Sequence, residues 1–180
     1  MDIKYLEIND DKFDKSFDLY PSLKSLVINN NTIIKKIPST LKNLEYLTVN
    51  NSSVDFIDEL ENIECIQLYN CHNIDIHSKN IINLQYLSLV NCSNININVN
   101  KLINLKKLVI NTFDDLNNEL YKITTLEELH ISNSNITQIS KSLNNLKYLN
   151  LNNCYNIVEI PYFLFLKNVS YQNSNIKIIY

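Results

Sequence analysis

The chain runs to 180 residues, of which 45% are hydrophobic and 19% charged, with a formal net charge of −3. That length and balance fit one domain or one short repeat array and exclude wholesale disorder. There is no Gly. This excludes the phosphate-cradling loop, the dinucleotide fingerprint and the nucleophile elbow, which all need Gly where backbone must approach a ligand or turn sharply.

All 16 basic residues are Lys, and Ala and Trp are absent, while Asn occurs 32 times, Ile 26 and Leu 25. The missing residues have GC-rich codons and the abundant ones AT-rich codons. The simplest source is an AT-rich genome, as in some large DNA viruses and protists, so Asn and Lys are discounted as motifs. Without Gly, turns at positive φ fall to Asn and Asp, the next most tolerant residues. The start, Met1-Asp2-Ile3-Lys4-Tyr5, lacks the basic and apolar regions of a signal peptide. The longest apolar run, 161–166, falls far short of the ~20 residues that cross a bilayer. The expectation is a cytoplasmic chain without membrane contact, with Cys65, Cys71, Cys92 and Cys154 reduced. Acidic balance and absence of Arg argue against a nucleic-acid partner.

Along the chain, one frame recurs: apolar-x-x-apolar-x-apolar. It opens at Ile3, Leu23, Leu44, Ile63, Leu84, Leu105, Leu126, Leu146 and Leu166. Its middle column reads Leu6, Leu26, Leu47, Ile66, Leu87, Leu108, Leu129, Leu149, Val169, and its third Ile8, Ile28, Val49, Leu68, Leu89, Ile110, Ile131, Leu151, Tyr171. Alternation within each unit predicts a short strand with its Leu residues on one face. Three residues beyond comes a small or polar residue: Asp11, Asn31, Ser52, Cys71, Cys92, Ser134, Cys154, Ser174, with Phe113 the misfit. An aliphatic or aromatic residue follows: Phe13, Ile33, Val54, Ile74, Ile95, Leu116, Ile136, Ile157, Ile176.

The unit L-x-x-L-x-L-x-x-N/C-x-L resembles the leucine-rich repeat, short 20–21-residue class, over essentially the whole chain. Ile37-Pro38-Ser39-Thr40-Leu41 and Ile160-Pro161-Tyr162-Phe163-Leu164 are similar to the outer half of such repeats. The resemblance implies one solenoid domain over residues 1–180, an arc of nine repeats with a parallel sheet on the concave face. Returns of about ten residues are too short for a full α-helix, so extended or 3₁₀ segments are expected on the convex side. The polar turn residue should point inward and satisfy backbone groups of the next coil. No polar capping module is visible at either end. Residues 9–20, with Phe13, Phe17 and Tyr20, are candidates to cover the first edge; Phe163, Phe165, Ile178, Ile179 and Tyr180 are candidates for the last.

In this family, partners usually dock on the concave face. The outward columns there are Tyr5, Ser25, Tyr46, Cys65, Tyr86, Lys107, Glu128, Tyr148, Asn168 and Glu7, Val27, Thr48, Gln67, Ser88, Val109, His130, Asn150, Ser170. The expected contact residues are Tyr46, Gln67, Tyr69, Tyr86, Lys107, Glu128, His130 and Tyr148, because Tyr carries large contact area at small rotamer cost. Lys106, Lys107, Glu127 and Glu128 are expected to pair as surface bridges. Residues 44–78 hold seven acids and no Lys, whereas from Ile131 onward there are four Lys and only Glu159, an asymmetry that could steer a partner.

Other chemistries are set aside. Cys65, Cys71, His72 and His77 are close in sequence, but the frame points Cys65 to the concave side, Cys71 inward and His77 to the convex side, where they cannot converge on zinc. Cys71 and Cys92 share a column in adjacent coils; a reducing compartment favours free thiols. The glycosylation triplets at Asn30, Asn51, Asn91, Asn135 and Asn168 follow from Asn abundance. The reading is a non-enzymatic protein-binding module without cofactor. Alternatives are self-association through the solenoid ends, or an accessory subunit of a phosphatase or ubiquitin ligase.

Overall fold

The computed structural model describes residues 2–13, 15–76, 78–112, 119–173 and 176–179, with backbone alone for 78–80. His77, Phe113, Leu116, Ser174 and Tyr180 lie outside the described residues. In chain order the strands are β1 (Tyr5–Ile8), β2 (Ser25–Asn29), β3 (Lys36–Ile37), β4 (Tyr46–Asn50) and β5 (Phe56–Ile57). There follow β6 (Cys65–Tyr69), β7 (Asp75–Ile76), β8 (Tyr86–Val90), β9 (Lys107–Asn111) and β10 (Glu128–Ser132). The last four are β11 (Tyr148–Asn152), β12 (Glu159–Pro161), β13 (Asn168–Ser170) and β14 (Lys177–Ile179).

Nine of these stack in one sheet in the order β1-β2-β4-β6-β8-β9-β10-β11-β13, every pair parallel. Nine strands are joined by eight returns, which is the expected leucine-rich-repeat solenoid. The returns carry 3₁₀ turns at Phe17–Leu19, Ser78–Asn83, Val99–Lys101 and Leu120–Lys122. Short convex ladders, β3-β5-β7 and β12-β14, complete them.

The apolar columns build the core. Leu26, Leu47, Ile66, Leu87, Leu108, Leu129 and Leu149 sit side by side in the ladder and are all buried. Each strand alone would expose its apolar face; stacking buries it between neighbours and the convex return. In the second coil Ile34 is buried and Ile33 exposed, one residue from the expected position, since Asn31 takes an extra residue to complete its turn. Columns weaken at the ends. Ile3, Leu6, Leu166 and Val169 are only partly buried and Tyr171 is exposed, each having a neighbour on one side.

Positive φ belongs almost wholly to Asn. At the strand exits stand Asn30, Asn51, Asn70, Asn91, Thr112, Asn133, Asn153 and Asn173, with Asn73 and Asn94 in the returns, all between 46° and 59°. Their side chains form a ladder: Asn51 Nδ2 donates to Asn30 Oδ1 at 2.8 Å, Asn91 to Asn70 at 3.1 Å, and Asn153 to Asn133 at 2.7 Å. A second Asn ladder, unforeseen in the sequence, runs along the strand entry. Asn43, Asn62, Asn83 and Asn104 each donate to a carbonyl of the preceding coil, at 2.8–2.9 Å.

The inward turn residues satisfy backbone groups mostly of the preceding coil, not the next. Asn31 Nδ2 donates to Asp10 O at 2.6 Å, and its Oδ1 accepts from Ile33 and Ile34. The Cys71, Cys92 and Cys154 thiols reach the carbonyls of Val49, Leu68 and Ile131. Asp11, at the same position of the first coil, is exposed and accepts from the Thr32 amide of the following coil. The end covers differ from expectation. Phe13, Phe17 and Tyr20 pack as tilted rings, 5.3 and 6.3 Å between centroids, closing the first return while β1 stays at the sheet edge. At the other end Phe163 is buried, but Phe165, Ile178 and Ile179 are exposed, because no described segment lies beyond β13 and β14.

Candidate functional site

The ladder register sets the outward columns. One runs Tyr46, Cys65, Tyr86, Lys107, Glu128, Tyr148 across β4 to β11. The next runs Thr48, Gln67, Ser88, Val109, His130, Asn150. All eight sequence-selected residues therefore lie on one face, Tyr69 at the end of β6. Tyr46 and Tyr148 are 46% and 40% exposed, and Tyr86 is half-buried.

These side chains form a connected chain across the strands. Thr48 Oγ1 donates to Gln67 Oε1 at 3.2 Å, and Gln67 Nε2 donates to the Tyr86 hydroxyl at 3.4 Å. The Lys107 ammonium lies 5.6 Å from the Tyr86 ring centre and 3.0 Å from a Glu128 carboxylate oxygen. Glu128 in turn lies 3.7 Å from His130 Nε2. Each exposed ion pair is worth only ~0–1 kcal/mol, so the chain's main effect is to orient the rings and charged groups. Glu127 pairs with Lys147 at 2.5 Å and not with Lys106; the Lys147 ammonium holds its carboxyl below the usual range. On the same rim Lys24 pairs with Glu45. There Lys24, Glu45, Glu64, Gln85 and Lys106 line a shallow groove of about 350 Å³.

Two residues of the surface were not selected from the sequence. Ser88 is buried despite its outward column; its hydroxyl hydrogen-bonds the Tyr69 phenol, which burial pushes up. Asn150 adjoins His130 in the ladder, and Asn150 Oδ1 and His130 Nε2 are covered polar atoms without a hydrogen-bond partner among the described residues. Its signal was visible: a polar residue in an outward column beside a selected His.

Cys65 faces outward in this column, and burial pushes its thiol up to about 11, which keeps it protonated and a poor nucleophile at neutral pH. Cys71 is fully buried; its hydrogen bond with Cys92 and its burial hold the thiol protonated. His72 Nδ1 lies 2.8 Å from Ser93 Oγ. Asn30, Asn51 and Asn91, each the first residue of a glycosylation triplet, occupy positive-φ turn positions, while Asn168 opens β13. Among the described residues, no helix is long and apolar enough to cross a membrane.

Aligned Leu columns, parallel one-face strands and short 3₁₀ returns define a leucine-rich-repeat solenoid with an aromatic and charged sheet face. Residues 22–44, 125–146 and 145–166 match the Leucine Rich Repeat family model. A leucine-rich-repeat protein of Leptospira interrogans shares the fold, with a TM-score of 0.57 at 16% identity over 98% of this chain and 61% of that one. An internalin (inlF) of Listeria monocytogenes aligns with a TM-score of 0.48 and 20% identity over 87% of this chain and 57% of that one. The chain thus spans less than two thirds of the length of both. No curated protein matches it in sequence. Proteins of this fold are generally protein-interaction modules and typically non-enzymatic.

Proposed function

We propose that residues 1–180 act as one non-catalytic module that holds a protein partner on the concave sheet face. The observation that carries this reading is the alignment of Tyr46, Tyr86 and Tyr148 in one column, with Tyr86 between Gln67 and Lys107 and the chain of contacts continuing through Glu128 to His130. Rigid aromatic anchors among oriented polar groups are the composition of interface hot spots. The four free cysteines support a reducing, cytoplasmic setting.

The test begins with affinity capture from the source cell and identification of the partner by mass spectrometry. Its affinity is then titrated against the chain carrying Tyr86→Ala and Tyr148→Ala together. Two hot-spot truncations of ~2 kcal/mol each would weaken binding about a thousandfold, with the thermal midpoint unchanged. Unchanged affinity would move the site off this face.

A further inference from the structure

The inward turn column places two thiols in adjacent coils at the middle of the sheet. Cys71 follows β6 and Cys92 follows β8, each two residues past its strand. The two segments run parallel and in register: His72 bridges Ser93, and the Ser93 amide donates to Cys71 O at 3.2 Å. Register neighbours in such a stack have Cα atoms ~4.8 Å apart, inside the ~4.4–6.8 Å that a disulfide spans. The two side chains are already hydrogen-bonded to each other. The other two cysteines stand elsewhere: Cys65 sits between Tyr46 and Tyr86 in the outward ladder, and the coil before Cys154 places Ser134 in its column.

We propose that Cys71 and Cys92 are a dithiol that hydrogen peroxide converts to a disulfide, a reversible covalent staple between the coils that carry β6 and β8. The pair lies inside the solenoid and acts whatever the concave face holds. Cys92 reacts first. The Cys71 thiol and amide both donate to its sulfur, which holds the Cys92 thiol below its usual range against the opposite pull of burial, and the thiolate is the nucleophile. Its sulfur attacks one oxygen of the peroxide. The O–O bond breaks, and the other oxygen leaves as hydroxide, which takes the proton Cys92 gave up and becomes water. Cys92 is then a sulfenic acid. The Cys71 sulfur attacks the Cys92 sulfur; the S–S bond forms, the S–O bond breaks, and hydroxide leaves with the Cys71 proton as water. Two thiols are oxidised and one peroxide is reduced to two waters. Cys71 is 0% exposed and Cys92 3%, so the oxidant has to be close to water in size, and a bulkier one such as oxidised glutathione stays out. Parallel neighbours hold their Cβ atoms near the strand spacing, ~1 Å beyond the ~3.8 Å of a disulfide. Closing that gap strains the bond and leaves it easily reduced.

The test treats the reduced 180-residue chain with hydrogen peroxide in native buffer, alkylates it after unfolding, and maps the cysteines by mass spectrometry. Chymotryptic cleavage after Tyr69 separates Cys65 from Cys71. Of the four free thiols, Cys65 and Cys154 should remain. The chain should lose two hydrogens in mass and yield a linked Cys71–Cys92 peptide pair that dithiothreitol releases. Cys65→Ser with Cys154→Ser should form the same link. Cys92→Ser should block it and leave Cys71 a thiol; Ser already fills this column at Ser52 and Ser134, and unchanged circular dichroism verifies the fold. Oxidised glutathione should leave Cys71 and Cys92 free. Four free thiols after peroxide, oxygen added to Cys92 without a link to Cys71, or a link made through Cys65 or Cys154 instead would each overturn the proposal.

Discussion

Thr112 is the one residue at a strand exit whose side chain does not suit its backbone. It holds φ at 54° in a column otherwise filled by Asn. Left-handed conformation costs an ordinary L-residue ~1–2 kcal/mol, and most for a β-branched one, whereas Asn visits it routinely. Thr112 is retained in part by its hydroxyl, which donates to Asn91 Oδ1 at 2.7 Å and so adds a rung to the ladder. An amide at this position would make the same bond without the crowding. Thr112→Asn is therefore expected to stabilise the fold by ~1 kcal/mol, read as a higher urea midpoint. A lower midpoint would show that the hydroxyl outweighs the backbone strain.

Each strand shows why the element cannot be judged alone. β8 has Leu87 and Leu89 buried, and its neighbours β6 and β9 bury the same columns from either side. Removing one of these side chains leaves a cavity between three coils. Leu87→Ala should cost ~2–5 kcal/mol, seen as a large fall in the thermal midpoint. Leu164→Ala removes the same atoms from a side chain that is 71% exposed and should stay within ~0.5 kcal/mol of the parent. Equal losses for the two would contradict the division into inner and outer faces.

Across the molecule, the contacts between described elements join each coil to its neighbours, so stability is distributed as in a one-dimensional array. The central strands have ladder partners on both sides, while β1 and β13 have one each. Native-state hydrogen exchange should therefore be slowest in β6, β8 and β9 and fastest in β1 and β13, since local opening starts where fewest contacts are lost. Uniform protection along the sheet would mean that the array opens as one cooperative unit.

The repeat frame alone determined the fold, the inner and outer columns, and the face on which Tyr46, Tyr86 and Tyr148 meet. It could do so because one coil, copied along an axis, turns sequence spacing directly into position. Deviations from the frame were decided in three dimensions. Whether Ile33 or Ile34 goes inward depends on how Asn31 spends its hydrogen bonds. Ser88 is buried in an outward column, where its hydroxyl bonds the Tyr69 phenol. Glu127 chooses Lys147 over Lys106 on its rim. Which end residues are covered was also a tertiary matter: Phe163 reaches the core and Phe165 does not. Side-chain partners across coils depend on distances of a few ångström, and a one-dimensional pattern carries no record of them.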